Sequence, residues 1–387
     1  MLFPLDPNTP QCKVFEVLNN ELLNFLHSSI HAQVFDEKLF SEYRFDGDDI
    51  RSVCWTNEPT REKFQALWNE LPTTIDDRQE LYDLVLGGQN IAVYFNDQLR
   101  PLPQLQGDKL FKAFKALTTH LFTRTMNLER AKEECGSSIN QHYGAFKQNN
   151  QNSSLCYICG TELLSQDRIG LNVDDNWRAD YDHILCKDKY PIYSAHPGNF
   201  IPTCHTCNSK AKGAKDALND RRGRRKAFYP LPPSQESCYQ SAMIVPHFLG
   251  LDDFISGDWE SPLSASPVAF PGAPAAISSK IDVWKELYEV PQRVEQHIVT
   301  NFCERIAGDL NLTAQDDFDD FTNQLNRAVR GEPADMKKAV WRFWFYRLYC
   351  YLAAQSDTYL LSVWTSIKWK LDVSSSNSDI VDIFESK

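Results

Sequence analysis

The sequence predicts a mainly α-helical, multidomain chain with a small central α+β module built around a metal. Three observations predict it. Apolar residues recur at helical spacing on both flanks. Two Cys-x-x-Cys pairs, Cys156/Cys159 and Cys204/Cys207, bracket a strand-like segment in the middle. The length, 387 residues, exceeds what one hydrophobic core usually organises.

The divisions follow from composition. Residues 1–150 read as a helical region and 151–230 as the central module. A Pro-rich connector fills 231–279, a second helical region 280–372, and a loose Ser- and Asp-rich tail 373–387. At 42% hydrophobic and 24% charged, the chain has enough apolar mass for well-filled cores. A net charge of −12 argues against general coating of nucleic acid and leaves room for one local basic face. No apolar run reaches the ~18–20 residues that span a bilayer, so no membrane contact is expected. The start, Met1 to Asp6, has no basic stretch followed by an apolar one. That predicts a cytoplasmic protein whose eleven cysteines are thiols and metal ligands, not disulfides.

In order along the chain, Val14 to Leu26 carries apolar residues at helical spacing. Glu58-Pro59-Thr60 opens a second helix, with Phe64, Leu67, Trp68 and Leu71 on one face and Pro72 after it. A third spans Asp77 to Leu86 and stops at Gly87-Gly88. Ile91 to Phe95 is short and partly β-branched and reads as a strand. A long helix starts near Asp108 with Leu110, Phe111, Phe114, Leu117, Leu121 and Phe122 as its stripe. The polar run Gln148 to Ser154 leads into the module. Residues 230–276 hold eight of the chain's twenty prolines, yet Met243, Ile244, Phe248, Leu249, Phe254 and Trp259 are too apolar for a free tether. Beyond it, Val283, Trp284, Leu287 and Tyr288 form one helical face, and Val294, Ile298, Phe302 and Ile306 the next. Asp316 to Asp320 reads as a solvated helix start. Ala339 to Leu352 is apolar nearly all round, as a helix buried on more than one side would be.

The chemistry concentrates between Cys156 and Lys212. Two thiolates two residues apart bite one metal ion from a tight turn, and a second pair completes a tetrahedral site. The 44 residues between the pairs must fold as an insert. A closed set of four cysteines predicts a structural Zn²⁺. Within the insert, Asp182-His183 follows Tyr181 at a short strand end, Asn199 lies sixteen residues after His183, and Asn208 follows the second pair at the start of a Lys-rich helix. His196 and His205 read as structural or surface residues.

In this order — Cys-x-x-Cys, Asp-His, Asn, Cys-x-x-Cys-Asn-x-Lys — the segment 154–215 resembles the HNH endonuclease family in its zinc-stapled form. The resemblance implies a ββα-metal finger, a hairpin followed by a helix. It implies His183 as the general base, Asp182 as ligand of one catalytic Mg²⁺ or Mn²⁺, Asn199 as the residue positioning the base, and Asn208 where the last His of the family name usually stands. An amide there suits a hard cation. The activity implied is hydrolysis of phosphodiester bonds in DNA, or RNA, by an effector of a bacterial defence or restriction system. The basic run after the motif, Lys210, Lys212, Lys215, Arg221, Arg222, Arg224 and Arg225 with Lys226, is interrupted by two acids and nets +6. It is expected to hold phosphates. The helical flanks are expected to dock a protein partner or a second copy. The competing reading is a non-catalytic zinc-stapled module that binds nucleic acid or protein without cutting.

Overall fold

Where the apolar side chains fall decides the helices. The computed structural model describes residues 1–45, 48–165, 168, 170–172, 177–250 and 261–385. In the N-terminal part, α1 (Lys13–Ser29) buries Val14, Phe15, Leu18, Leu22, Phe25 and Leu26. The second helix, α2 (Glu58–Trp68), begins on Asn57, whose side chain accepts from the Thr60 N–H; Pro59 sits in the first turn, where its missing N–H would be unpaired anyway. Next come α3 (Ile75–Gly87), capped by Thr74, and α4 (Asp108–Thr123), burying Leu110, Phe114, Leu117 and Leu121. A reciprocal Ser138/Gln141 capping box starts α5 (Ile139–Asn149). The C-terminal part contributes α6 (Ala275–Tyr288), α7 (Val290–Asp309), α8 (Phe318–Ala328), α9 (Arg342–Ala353) and α10 (Asp357–Glu385). The acidic run at 316–320 contains the cap of α8, with Asp317 accepting from the Asp320 N–H. Among the described residues the sheets are five two-stranded antiparallel pairs, so the chain is mainly helical with scattered small β elements. None of the described helices is long and apolar enough to cross a membrane.

One segment departs from expectation, and the tail and the connector take definite backbone forms. Ile91 to Phe95 is helical, not extended: a short helix covers Ala92–Asn96. Its fully buried side chains are Ile91, Tyr94 and Phe95, a helical spacing that a five-residue window hides under β-branched composition. At the C-terminus, the backbone of the segment expected as a loose tail continues α10 to Glu385, with no Pro or Gly between 357 and 385 to stop it. The connector folds into nested antiparallel arms. Met243–Ile244 pairs with Val268–Ala269, and His247–Phe248 pairs with Leu263–Ala265. Ile244 is buried, and the Phe248 ring packs edge-on to Phe302 and Tyr359. Phe254 and Trp259 lie outside the described residues.

The flanks meet at the central hairpin. Strand β1 (Asp180–His183) pairs antiparallel with β2 (Phe200–Thr203), His183 opposite Phe200. The Phe200 ring is sealed under Phe15 of α1, at 3.9 Å between centroids, and Phe122 of α4, at 5.3 Å, both stacked. The apolar side chains of module and flanks form one connected cluster, running from Met1 to Ile367. Phe200 is therefore the point at which two helices are fixed to the hairpin. Phe200→Ala is expected to cost about 3–5 kcal/mol of folding stability, the usual range for a buried Phe. Urea unfolding followed by fluorescence measures it, and a loss under about 1 kcal/mol would mean the three rings do not act as one anchor.

Candidate functional site

The four cysteines are brought together by two tight turns. In the first, the Gly160 N–H donates to the Cys156 carbonyl at 2.8 Å, and Gly160 itself has φ +68°, a left-handed conformation that glycine accepts without steric cost. In the second, the Asn208 N–H donates to the Cys204 carbonyl at 3.0 Å. All four sulphurs are buried and lie within 4.8 Å of one another, close enough to chelate one metal ion. Tetrahedral Zn–S bonds of ~2.3 Å require sulphurs about 3.8 Å apart; Cys159 Sγ and Cys204 Sγ are 3.9 Å apart. The donor set therefore fits a zinc ion.

Residues that no spacing announces complete this centre. The Thr161 hydroxyl donates to Cys159 Sγ at 3.1 Å, and an Arg293 guanidinium N–H reaches Cys207 Sγ at 3.3 Å, offsetting thiolate charge. Two indoles cap the first turn: Trp284 Nε1 donates to the Ile158 carbonyl at 3.0 Å and Trp344 Nε1 to the Cys159 carbonyl at 2.9 Å. Trp341, in the left-handed region at φ +65°, donates its own N–H to the Gly160 carbonyl and stacks on His297 at 3.6 Å. A bulky residue in that conformation costs on the order of 1–3 kcal/mol. The bond and the stack hold it there.

Beside the cluster lies a cleft of about 570 Å³. Asp182 and His183 line it from β1, and Asn208 and Lys212 from the turn after β2. That turn is not the α-helix expected from Ser209 to Lys215. It is a single π turn, Thr206–Lys212, closed by the Gly213 N–H on the Asn208 carbonyl at 2.8 Å and ended by Gly213 at φ +48°. The wide turn brings Lys212 onto the cleft beside Asn208.

His183 is buried between the Phe122 and Phe200 rings, and its Nε2 donates to the Ser194 carbonyl at 3.2 Å. A carbonyl only accepts, so the proton sits on Nε2 and the Nδ1 lone pair is left over. Burial, then the Lys187 and Lys212 charges, push the imidazole pKa down to about 3. The ring is neutral at pH 7. Asp182 is buried; its Oδ1 accepts from Lys212 Nζ at 2.7 Å, and Tyr288 Oη lies 3.5 Å from its Oδ2. Burial pushes this carboxyl up, and Lys212 pulls it back. Among the described residues Asn199 makes no hydrogen bond to the imidazole. Its Oδ1 accepts from the Leu185 N–H at 2.7 Å, and its Nδ2 donates to the Leu185 and Tyr193 carbonyls. It braces the inter-strand loop that carries Ser194. The Asn208 side-chain amide has no hydrogen-bond partner among the described residues.

The basic run is not one surface. Lys212 is buried on Asp182, and Lys215 pairs with Glu289 at 2.6 Å. Arg224 donates to the Leu218 and Tyr94 carbonyls, and Arg225 pairs with Glu286. Of the seven cations expected on phosphates, Lys210, Arg221 and Arg222 are exposed. Counting charge along the chain cannot tell a cation facing water from one neutralised by an acid seventy residues away. His205 is exposed, 3.6 Å from Asp180, and His196 accepts from the Gly198 N–H; neither joins the cysteines.

No family model, no curated protein and no solved structure matches the chain.

Two outcomes test this description. Cys204→Ser is expected to lower bound zinc from one per chain toward none and to cut thermal stability, because site formation and folding are coupled. Elemental analysis with a melt checks both, and an unchanged melt would mean the cluster does not hold the fold. Separately, burial lowers the His196 pKa to about 4. Between pH 6.5 and 4 the unfolded chain binds a proton there that the folded chain does not, so stability rises with pH across this window. This contribution is complete above pH 6.5 and fades on acidification toward 4. His196→Gln should make the pH dependence of unfolding shallower in that window relative to wild type.

Proposed function

We propose that the cleft is the active site of an HNH-type endonuclease that hydrolyses phosphodiester bonds in DNA. The observation that carries the reading is the meeting of Asp182, His183 and Asn208 on one cleft beside the four cysteines, in a hairpin followed by a helical turn. In the proposed reaction a water attacks phosphorus and passes its proton to His183 Nδ1. The P–O bond to the leaving oxygen breaks, and that oxygen takes a proton from solvent. The Ser194 carbonyl, by keeping Nε2 protonated, holds the tautomer that can accept. Asn199 is a positioning residue, acting through the loop that presents Ser194.

A catalytic Mg²⁺ or Mn²⁺ would be held by Asp182 and Asn208. The fit to the chain's own contacts is poor. Each of the three carboxylates lining the cleft already faces a side-chain nitrogen: Asp182 faces Lys212, Asp188 faces Lys115, and Asp180 faces His205. Asn208 alone is uncommitted, so no step is routed through a divalent ion.

A second reading, a non-catalytic zinc-stapled module for nucleic acid or protein, is favoured by one observation. Asp182 and Asn199 are both fully engaged in internal bonds, which is what a purely structural role requires. Turnover separates the two. Zinc-loaded protein is expected to nick or linearise plasmid, assayed with and without added Mg²⁺ or Mn²⁺. His183→Ala should lower the rate by about 10²–10⁴-fold, the span of general-base catalysis, with zinc content unchanged. Binding of DNA without cleavage, unaffected by His183→Ala, would favour the second reading.

A further inference from the structure

The unexpected group in the cleft is Lys212. Its side chain is 1% exposed, and its Nζ lies 2.7 Å from both Asp182 Oδ1 and the His183 carbonyl oxygen. An ammonium has three donors, so one N–H is left without a protein acceptor among the described residues. The two oxygens it holds are the pair a hard cation would need, a carboxylate and a backbone carbonyl presented from the same strand end. We infer that the Lys212 ammonium takes the cation's place at Asp182, so that the cleft carries its positive charge on the chain itself and binds no divalent ion there.

Geometry and charge both argue for it. Mg²⁺ needs oxygens at ~2.0–2.1 Å in a near-octahedral shell. The space between Asp182 Oδ1 and the His183 carbonyl is already filled by nitrogen, and the other carboxylate oxygen faces Tyr288 Oη at 3.5 Å. A divalent ion added without expelling Lys212 would set three positive charges against one carboxylate, beside Lys187 on the same wall. Expelling it would leave an ammonium buried with no partner. The π turn explains how the residue arrives there. Closing Asn208 to Gly213 places Lys212 on the cleft wall, and the left-handed Gly213 lets the chain leave immediately afterwards.

The catalytic meaning of this charge rests on the nuclease reading; the occupancy of the site does not, and it is tested without turnover. Zinc-loaded wild type is titrated with Mn²⁺, followed by its electron paramagnetic resonance signal and by broadening of the His183 imidazole resonances. The expected result is no broadening and no difference from Asp182→Asn. Lys212→Ala and Lys212→Met should open the site. Each is expected to gain one Mn²⁺ per chain, at least tenfold tighter than wild type, to melt higher as Mn²⁺ is added, and to lose both effects when Asp182→Asn is combined with it. Wild-type uptake of one Mn²⁺ that broadens His183, or folded Lys212 variants with no gained site, overturns the inference. If the variants fail to fold, the wild-type titration decides alone. Absence of plasmid cleavage under every condition would sink the nuclease reading while leaving the Mn²⁺ result intact.

Discussion

Four sulphurs held within 4.8 Å of one another, out of contact with water, are the constraint around which the centre is built. Without an ion, four buried thiols are a poor core; with one, they are a rigid cross-link between residues 156 and 207. The rest of the chain treats this cross-link as a fixed point. Its first turn has carbonyls at Ile158, Cys159 and Gly160 that no strand or helix can satisfy. They receive N–H groups from Trp284, Trp344 and Trp341, all from the C-terminal helical region. A buried carbonyl left unpaired would cost on the order of 1–3 kcal/mol, so the indoles of Trp284 and Trp344 are required by the turn as much as they pack upon it, while Trp341 serves it through its backbone N–H.

The hairpin transmits that rigidity to the other flank. β2 ends at Thr203, one residue before the second cysteine pair, and its first residue, Phe200, is stacked under α1 and α4. The hairpin, with His183 opposite Phe200 in register, is thus held by the second cysteine turn at one end and the aromatic stack at the other. The Nε2 proton of this buried, neutral imidazole needs an acceptor. The Ser194 carbonyl supplies it, and the Asn199 amide keeps the loop carrying Ser194 in position.

What the sequence could and could not say follows from the range of each interaction. Cysteine spacing is local, so Cys156, Cys159, Cys204 and Cys207 can be read as one site directly. Amphipathic helices are local too, and α1, α2, α4 and α7 follow their apolar stripes. Ile91 to Phe95 fails because five residues sample too little of either period. The three tryptophans act across more than a hundred residues and Arg293 across 86, and only the folded chain brings them to the cysteines. Lys212 is the sharpest case. In the sequence it is one cation in a basic run; in the fold it belongs to Asp182, thirty residues earlier, on the cleft wall, and not to the exposed cations of that run.

The same contrast decides how the cleft must be understood electrostatically. Burying a lone carboxylate is prohibitive, and burying it beside an ammonium is tolerable only when the remaining donors and acceptors are also used. The chain meets that condition for all but one donor: Lys212 bonds both Asp182 and the His183 carbonyl, leaving one N–H over, and Tyr288 lies near the second carboxylate oxygen. A surface pair of equal length would contribute little and could separate at small cost. This one cannot separate without stranding a charge. The cleft wall therefore carries a permanent dipole, ammonium toward carboxylate, next to an imidazole whose free nitrogen is uncharged at pH 7. On the nuclease reading proposed above, a phosphate entering the cleft would meet Lys187 and a neutral imidazole, with Lys212 already neutralised by Asp182, so that neither wall need reorganise to receive it.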